Sequence, residues 1–600
     1  MRVANLKNVS ELVLINAVRN HRNLVTVCCD ALRRFGLWSL LSAAAVCLFA
    51  CSGGSSEQAS TYREQTLNWQ PCDASALGDD AGSLKNFGVT MAELGSRVTC
   101  ASMRAPINYA NPGDGELQVA LMRIAAENPK ERLGAILFNP GGPGTDGLVL
   151  APIYAAVWAR ADPNTEIGRL YKQMSERYDI IGFSPRGTGQ STPLRCTSSE
   201  TLDPIANETA DRSQANVAAM LGNAQKIADA CAKNPLTPFI NSDSTARDMD
   251  LVRHLLGDEK LNYYGISYGS WLGTWYAGLF PERVGRMLLT GVVDQTQGLE
   301  ESFLTIPMGY QRIFDHLIVP YAARHTAIFS NDSSAGRLGT IFESLNLNLK
   351  GAVSEVLEDS LRNASGATRA VLTMVAGETI RKLLDQYPML EQTDLLTKLS
   401  EITIASERDT EYALSPDGRQ LTGKTLDAIA HEQGAEIIKG YFARRNPVKE
   451  TVDILGAVAL SYAVVSNDMS MRLNTDDWIA ITNQNSSLYP LTGGKFTSWP
   501  GLYWRAASVN RPTLESVNKA GNILLVHNEF DGVTPLEGPE RSLPYLPNAS
   551  FILIRNEYTH GTFLPYGNAC SDEPVARYFL YGIKPPRRTE CMGKPLYWDR

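Results

Sequence analysis

The five residues Gly265-Ile266-Ser267-Tyr268-Gly269 leave this chain the least freedom. Gly-x-Ser-x-Gly is the pattern of a sharp strand-to-helix turn that strains a serine backbone and exposes its Oγ at the edge of a sheet. Leu261 to Tyr264 supply strand formers before it, and Ser270 to Leu279 supply a small-residue amphipathic helix after it. Side chains two positions either side of the serine would collide with the neighbouring strand and helix, so glycine is needed there. In a chain with 48 glycines the pattern also fits an ordinary turn. Its weight therefore depends on partners elsewhere in the sequence.

The 600 residues, 44% hydrophobic and 20% charged, describe a globular protein of roughly two to four domain-equivalents. A net charge of −8 without a Lys/Arg run argues against nucleic acid as a partner. Arg33 and Arg34 precede the apolar run Phe35 to Ala50, which stops at Cys51. This is the layout of a secretory signal. The cysteine that follows resembles a bacterial lipobox, with ordinary cleavage nearby as the rival reading. The run is shorter than the roughly 20 residues that span a bilayer. The expectation is an exported protein of the cell envelope, touching the membrane only through a lipid on Cys51, with residues 1–51 as leader and 52–66 as tether. Cys72, Cys100, Cys196, Cys231, Cys570 and Cys591 then form an even set suited to disulfides in an oxidising compartment. Pairing sequence neighbours gives one of fifteen possible connectivities.

Strand patterns occur at Val98 to Tyr109, Glu116 to Ala125, Gly134 to Phe138, Tyr178 to Gly182, Arg283 to Val293, Gly521 to Val526 and Ala549 to Ile554. Several are continuous apolar runs of the kind buried on both faces of a parallel sheet. Helices alternate with them, as in a mostly parallel, doubly wound α/β sheet with functional loops at the strands' carboxyl ends. Residues 297–497 differ in being rich in helical segments, among them Ser302 to His325, Thr368 to Gln386 and Val452 to Val465. This stretch reads as a large helical cap inserted between core parts 67–296 and 498–600.

Asn139-Pro140-Gly141-Gly142-Pro143-Gly144-Thr145-Asp146-Gly147 follows a core strand and contains a dinucleotide-type Gly-x-Gly-x-x-Gly. Pro143 removes an amide from the phosphate-facing turn, and no second strand ends in an acidic ribose ligand. The sequence favours an oxyanion loop that presents backbone N–H groups to a serine nucleophile. A serine relay needs a base, and an acid that fixes the imidazole tautomer. Of seven histidines, His560 follows a late core strand and leaves room for an acid between itself and Ser267. That acid is Asp531, with Glu529 as the alternative. His527, Glu529 and Asp531 match no standard metal spacing, and neither metal nor cofactor is called for.

Gly141-Gly142-Pro143-Gly144, Gly182-x-x-Pro185-Arg186-Gly187-x-Gly189-x-Ser191, Gly265-x-Ser267-Tyr268-Gly269, Asp531-x-Val533-Thr534-Pro535 and His560-Gly561 together resemble the proline iminopeptidase and tripeptidyl aminopeptidase family of α/β-hydrolase serine peptidases. The segment around Cys570 and Cys591 is similar to that family's carboxyl-terminal part. The resemblance implies an α/β-hydrolase fold, Ser267 as nucleophile, Asp531 as orienter and His560 as base then acid. It implies an oxyanion hole from the N–H groups of Tyr268 and of Gly141 or Gly142. Two features depart from the family pattern: Ser184 stands where the arginine loop usually has Asp, and a cap disulfide is missing at Ser466 and near Trp499-Pro500. The implied activity is a cofactor-free exopeptidase acting on the N-terminus of peptides, with a carboxylesterase and a non-catalytic peptide-binding lipoprotein as alternatives. An exopeptidase must meet a free α-amine, for which Asp468 and Glu378 are the candidate cap carboxylates.

Overall fold

A computed structural model describes residues 61–600 except 206, 330–334, 407, 414–420 and 506. The leader, Cys51 and most of the tether lie outside the described residues. The described strands are β1 (Gln70–Pro71), β2 (Val98–Pro106), β3 (Glu116–Ile124), β4 (Gly134–Asn139), β5 (Tyr178–Phe183), β6 (Arg195–Thr201), β7 (Leu261–Ile266), β8 (Val284–Thr290), β9 (Asp409–Ala413), β10 (Leu421–Thr425), β11 (Thr451–Leu455), β12 (Ile523–Asn528), β13 (Ser550–Arg555) and β14 (Arg588–Met592). Ten of them form one sheet in the order β1-β2-β3-β5-β4-β7-β8-β12-β13-β14. From β5 to β14 the neighbours pair in parallel, while β1, β2 and β3 add an antiparallel edge.

Every residue of β4, β5 and β12 is buried, because helices cover both faces of the sheet. One face packs against Leu150–Ala159, Glu166–Arg177 and Ala569–Tyr581. The other packs against Ser242–Leu255 and Tyr268–Leu279. This is an α/β-hydrolase fold. β4 enters the sheet beside β7, so the glycine loop after β4 and the serine turn after β7 emerge side by side. The loops after β12 and β13 emerge at the same carboxyl edge.

Between β8 and β12 the chain is mostly helical. Helices such as Ile306–Ile313, Leu347–Leu361, Ala367–Gln386 and Leu426–Arg445 close around their own apolar core. The helix expected from Val452 to Val465 begins later than its periodicity suggested. Val452 to Leu455 belong to β11, which pairs antiparallel with β6. Gly456, at φ 56°, breaks the strand and the helix Gly456–Asp468 starts there. Residues Thr475–Leu488 form a further helix that the sequence reading did not anticipate. Disulfides join Cys72 to Cys100, Cys196 to Cys231 and Cys570 to Cys591, the sequence-neighbour connectivity.

Two departures from the family pattern have local explanations. Ser184 donates to Asp146 Oδ1 at 2.7 Å, so the glycine loop supplies the carboxylate that the arginine loop lacks. Arg186 is an internal organiser: fully buried, it binds both oxygens of Asp248 at 2.6 and 2.7 Å and carbonyls of Pro106 and Ile107. Ser466 lies beside Gly501, where an added Cβ would stand 3.1 Å from Ser466 Oγ. The two halves of the missing cap disulfide thus remain neighbours.

Candidate active site

Ser267 joins β7 to the helix Tyr268–Leu279 at φ 60° and ψ −123°, a backbone region that L-residues occupy only when their surroundings impose it. A Cβ at Gly265 would stand 2.3 Å from Gly269 O, and one at Gly269 would stand 2.7 Å from Asn139 O. The turn is closed so tightly on itself and on β4 that only hydrogen fits at either position. Thr290 O, at the end of β8, accepts the Ser267 N–H at 2.9 Å.

The glycine loop lies directly on this turn. Gly141, Gly142 and Gly144 have φ of 95°, 108° and 107°. A Cβ at Gly141 would approach Ser267 Cβ to 2.9 Å and Tyr268 N to 3.0 Å. One expectation is corrected here. The Gly141 N–H donates to Asn139 Oδ1 at 3.0 Å, so Gly141 provides clearance rather than a donor. Gly142 and Tyr268 carry the N–H groups without an internal acceptor among the described residues, the latter because the first turn of a helix has no intrahelical partner.

Asp531 follows β12 and His560 follows β13. His560 Nδ1 lies 2.9 and 3.0 Å from Asp531 Oδ1 and Oδ2. The same carboxylate accepts the N–H groups of Val533, Thr534 and Gly561. Burial works to raise the Asp531 carboxyl, but the charge and hydrogen bond of His560, with the backbone donors, hold it below its ordinary value. An ionised Asp531 keeps the proton on Nδ1 and leaves Nε2 as the basic nitrogen. Glu529, the alternative acid, is turned away: it pairs with Arg555 at 2.7 Å and accepts from Asn556 N. His527 is fully buried, accepts from Val292 N at 3.0 Å through Nδ1, and burial holds its pKa down. The His560 loop rests on the serine turn, since a Cβ at Gly561 would meet Ile266 Cγ2 at 2.5 Å. Among the described residues no cluster of three or more His, Cys, Asp or Glu could hold a metal ion.

The helical segment touches all three functional loops. Arg362 O accepts the His560 N–H at 2.7 Å, and Ala364 N donates to Thr559 Oγ1 at 3.1 Å. A Cβ at Gly309 would meet Gly532 O at 2.3 Å, and one at Gly144 would meet Ala457 O at the same distance. The His560, Asp531 and glycine loops are each seated against a different helix of this segment.

Both carboxylates singled out for a substrate amine have internal partners. Asp468 is buried, with Oδ1 accepting from Ser242 N at 2.7 Å and Oδ2 from Trp271 Nε1 at 2.9 Å. Burial pushes its pKa up to about 6. Glu378 pairs with Arg381 at 2.7 Å and stands near Lys382 and Arg337. A third carboxylate escaped the sequence reading. Glu300 is 1% exposed, its Oε1 and Oε2 have no hydrogen-bond partner in another described residue, and burial raises its pKa to about 7 against the opposing pull of its own backbone N–H. It lies close enough to Asp468 to raise its own pKa further. Only the local run Gly298-Leu-Glu-Glu marked it in the sequence, and that run reads as an ordinary helix start.

A strained serine on a strand-to-helix turn, with glycine-loop amides and an Asp-His pair at one sheet edge, defines a serine hydrolase of the α/β-hydrolase fold. A family model described as alpha/beta hydrolase fold matches residues 134–397, and one described as TAP-like protein matches residues 493–591. The serine protease Hip1 of Mycobacterium tuberculosis is 31% identical over 569 residues, covering 92% of this chain and 97% of the relative. The tripeptidyl aminopeptidase of Streptomyces lividans is 35% identical over 213 residues, covering 33% of this chain and 36% of the relative. Carboxylesterase B of Mycobacterium tuberculosis is 27% identical over 504 residues, covering 82% and 86%. The chain belongs to the α/β-hydrolase family of serine peptidases that contains Hip1 and the tripeptidyl aminopeptidases.

Proposed function

We propose that the protein is an exported serine exopeptidase that removes short peptides or single residues from the N-terminus of its substrates. The observation that carries the reading is the His560 Nδ1–Asp531 pair at 2.9 Å, with the His560 loop resting on the strained Ser267 turn. His560 Nε2 takes the Ser267 proton as Oγ attacks the scissile carbonyl. The N–H groups of Tyr268 and Gly142 meet the developing oxyanion, a contribution of about 3 kcal/mol per donor. His560 then protonates the leaving amine, and water hydrolyses the acyl-enzyme by the same route. The substrate ammonium is met by Glu300, a buried carboxylate without a partner in another described residue, with Asp468 next to it. Three disulfides and the leader support export, and Cys51 is the residue for a lipid anchor.

A carboxylesterase is the second reading, favoured by the likeness to Carboxylesterase B. Tripeptidyl anilide, its N-acetylated form and an aryl ester, each assayed with Ser267→Ala as control, separate the two. Cleavage of the free-amine anilide well above the blocked one is expected. Equal cleavage of both sinks the exopeptidase reading, and ester hydrolysis without amide cleavage favours the esterase.

A further inference from the structure

Arg362 ends the helix Leu347–Leu361 beside the base loop. Its carbonyl accepts the His560 N–H at 2.7 Å. Its Nε donates to Tyr310 Oη at 3.1 Å. Tyr310 is buried against the acid loop, where a Cβ at Gly532 would come within 2.8 Å of the tyrosine ring. The guanidinium is therefore tied at one end, through Tyr310, to the loop of Asp531, while the backbone of the same residue holds the loop of His560. At its other end Nη1 and Nη2 make no hydrogen bond, and no carboxylate forms an ion pair with Arg362 among the described residues. The residue as a whole is exposed. The two carboxylates whose charge reaches it hold their ion pairs elsewhere: Glu358 with Lys495 and Asp359 with Arg369.

A planar guanidinium, pre-oriented through one nitrogen and open at two, is a receptor for a carboxylate. The group beside His560 meets the leaving half of the substrate, because His560 protonates the leaving amine. We propose that Arg362 binds a carboxylate on the residue immediately after the cleaved bond, either an Asp or Glu side chain or the free C-terminus of a one-residue leaving group. The assignment rests on the serine-peptidase reading and adds its leaving-side specificity.

The test uses peptides identical before the cut. One pair carries Glu or Gln as the residue after it, within a longer amidated peptide; a second pair ends in that residue as free acid or amide. For the wild-type protein kcat/KM is expected to favour the carboxylate of at least one pair by 10-fold or more, expressed mainly in KM. Which pair responds tells a side-chain carboxylate from a terminal one. In Arg362→Gln the ratio is expected to fall to between 1 and 2, and Arg362→Lys restores part of it. Wild-type ratios near 1 in both pairs overturn the assignment without any variant, as does a ratio that survives in a folded Arg362→Gln protein. Cleavage of the neutral peptides with ratios near 1 overturns the Arg362 assignment alone. If no peptide is cut, the peptidase reading falls, and 3-carboxyphenyl against 3-carbamoylphenyl acetate reads the same position through the leaving alcohol. The 10-fold preference is expected there too, and its absence overturns the assignment.

Discussion

Glu300→Gln removes a charge that the fold holds at a cost. Burial raises the Glu300 carboxyl from 4.5 to about 7, and one pH unit corresponds to 1.36 kcal/mol. Keeping the group ionised above pH 7 therefore costs the folded state about 3 kcal/mol. The sign follows from proton binding: between 4.5 and 7 the folded chain holds a proton that the unfolded chain has released. The favourable contribution is complete below pH 4.5 and is lost as pH rises through 7. Asp468, raised to about 6, adds a slope of the same sign at lower pH. Glutamine keeps the shape without the titration, so at pH 8 the variant is expected to be the more stable protein, by up to about 3 kcal/mol, with no difference near pH 4. Urea unfolding at the two pH values measures this. If the carboxylate is retained for a substrate ammonium, the variant must also lose its preference for free-amine over N-acetylated substrates. A charged hydrogen bond of about 1.5–3 kcal/mol corresponds to a 10- to 100-fold loss, carried by KM. A variant that is less stable at pH 8 shows that the buried charge is not a cost to the fold, and one that keeps the free-amine preference shows that Glu300 does not meet the substrate ammonium.

Ser267→Ala is expected to abolish turnover while leaving the melting temperature within a few degrees, as checked by calorimetry and a chromogenic anilide. Asp531→Asn leaves the shape intact but releases the His560 tautomer, and kcat should fall by about 10⁴ in steady-state assays. Gly265→Ala places a Cβ 2.3 Å from Gly269 O; the turn must open, with stability down by about 1–3 kcal/mol and activity lost, both read on one preparation. Ser466→Cys with Gly501→Cys should close a disulfide where Ser466 Oγ and an added Cβ stand 3.1 Å apart, at the cost of turning aside the Trp499 indole, 2.4 Å from that Cβ. The chain-entropy model gives up to about 4 kcal/mol for such a loop, measured as a reductant-sensitive rise in melting temperature.

The serine turn, the glycine loop and the late Asp and His were legible because each follows a short apolar strand, and buried parallel strands announce themselves as continuous hydrophobic runs. Local chemistry at those strand ends depends on residue type and spacing, which the sequence contains. Chain order alone singled out His560 and favoured Asp531 over Glu529. Only the tertiary structure turned Glu529 towards Arg555 and Asp531 towards His560, because which way a loop carboxylate points is decided by neighbours far away in the chain. The same holds for β11, where pairing with the distant β6 overrides helical periodicity up to Gly456; the Gly141 N–H, by contrast, is taken by Asn139 two residues earlier, a local contact. Glu300 and Arg362 were invisible for a stronger reason. How many of a side chain's polar atoms find partners is a property of the packed surroundings, and no spacing of letters encodes it. Residue type and spacing thus placed Ser267, Asp531 and His560 on neighbouring loops of one sheet edge, whereas the surroundings of Glu300 and Arg362 came from packing between segments distant in the chain.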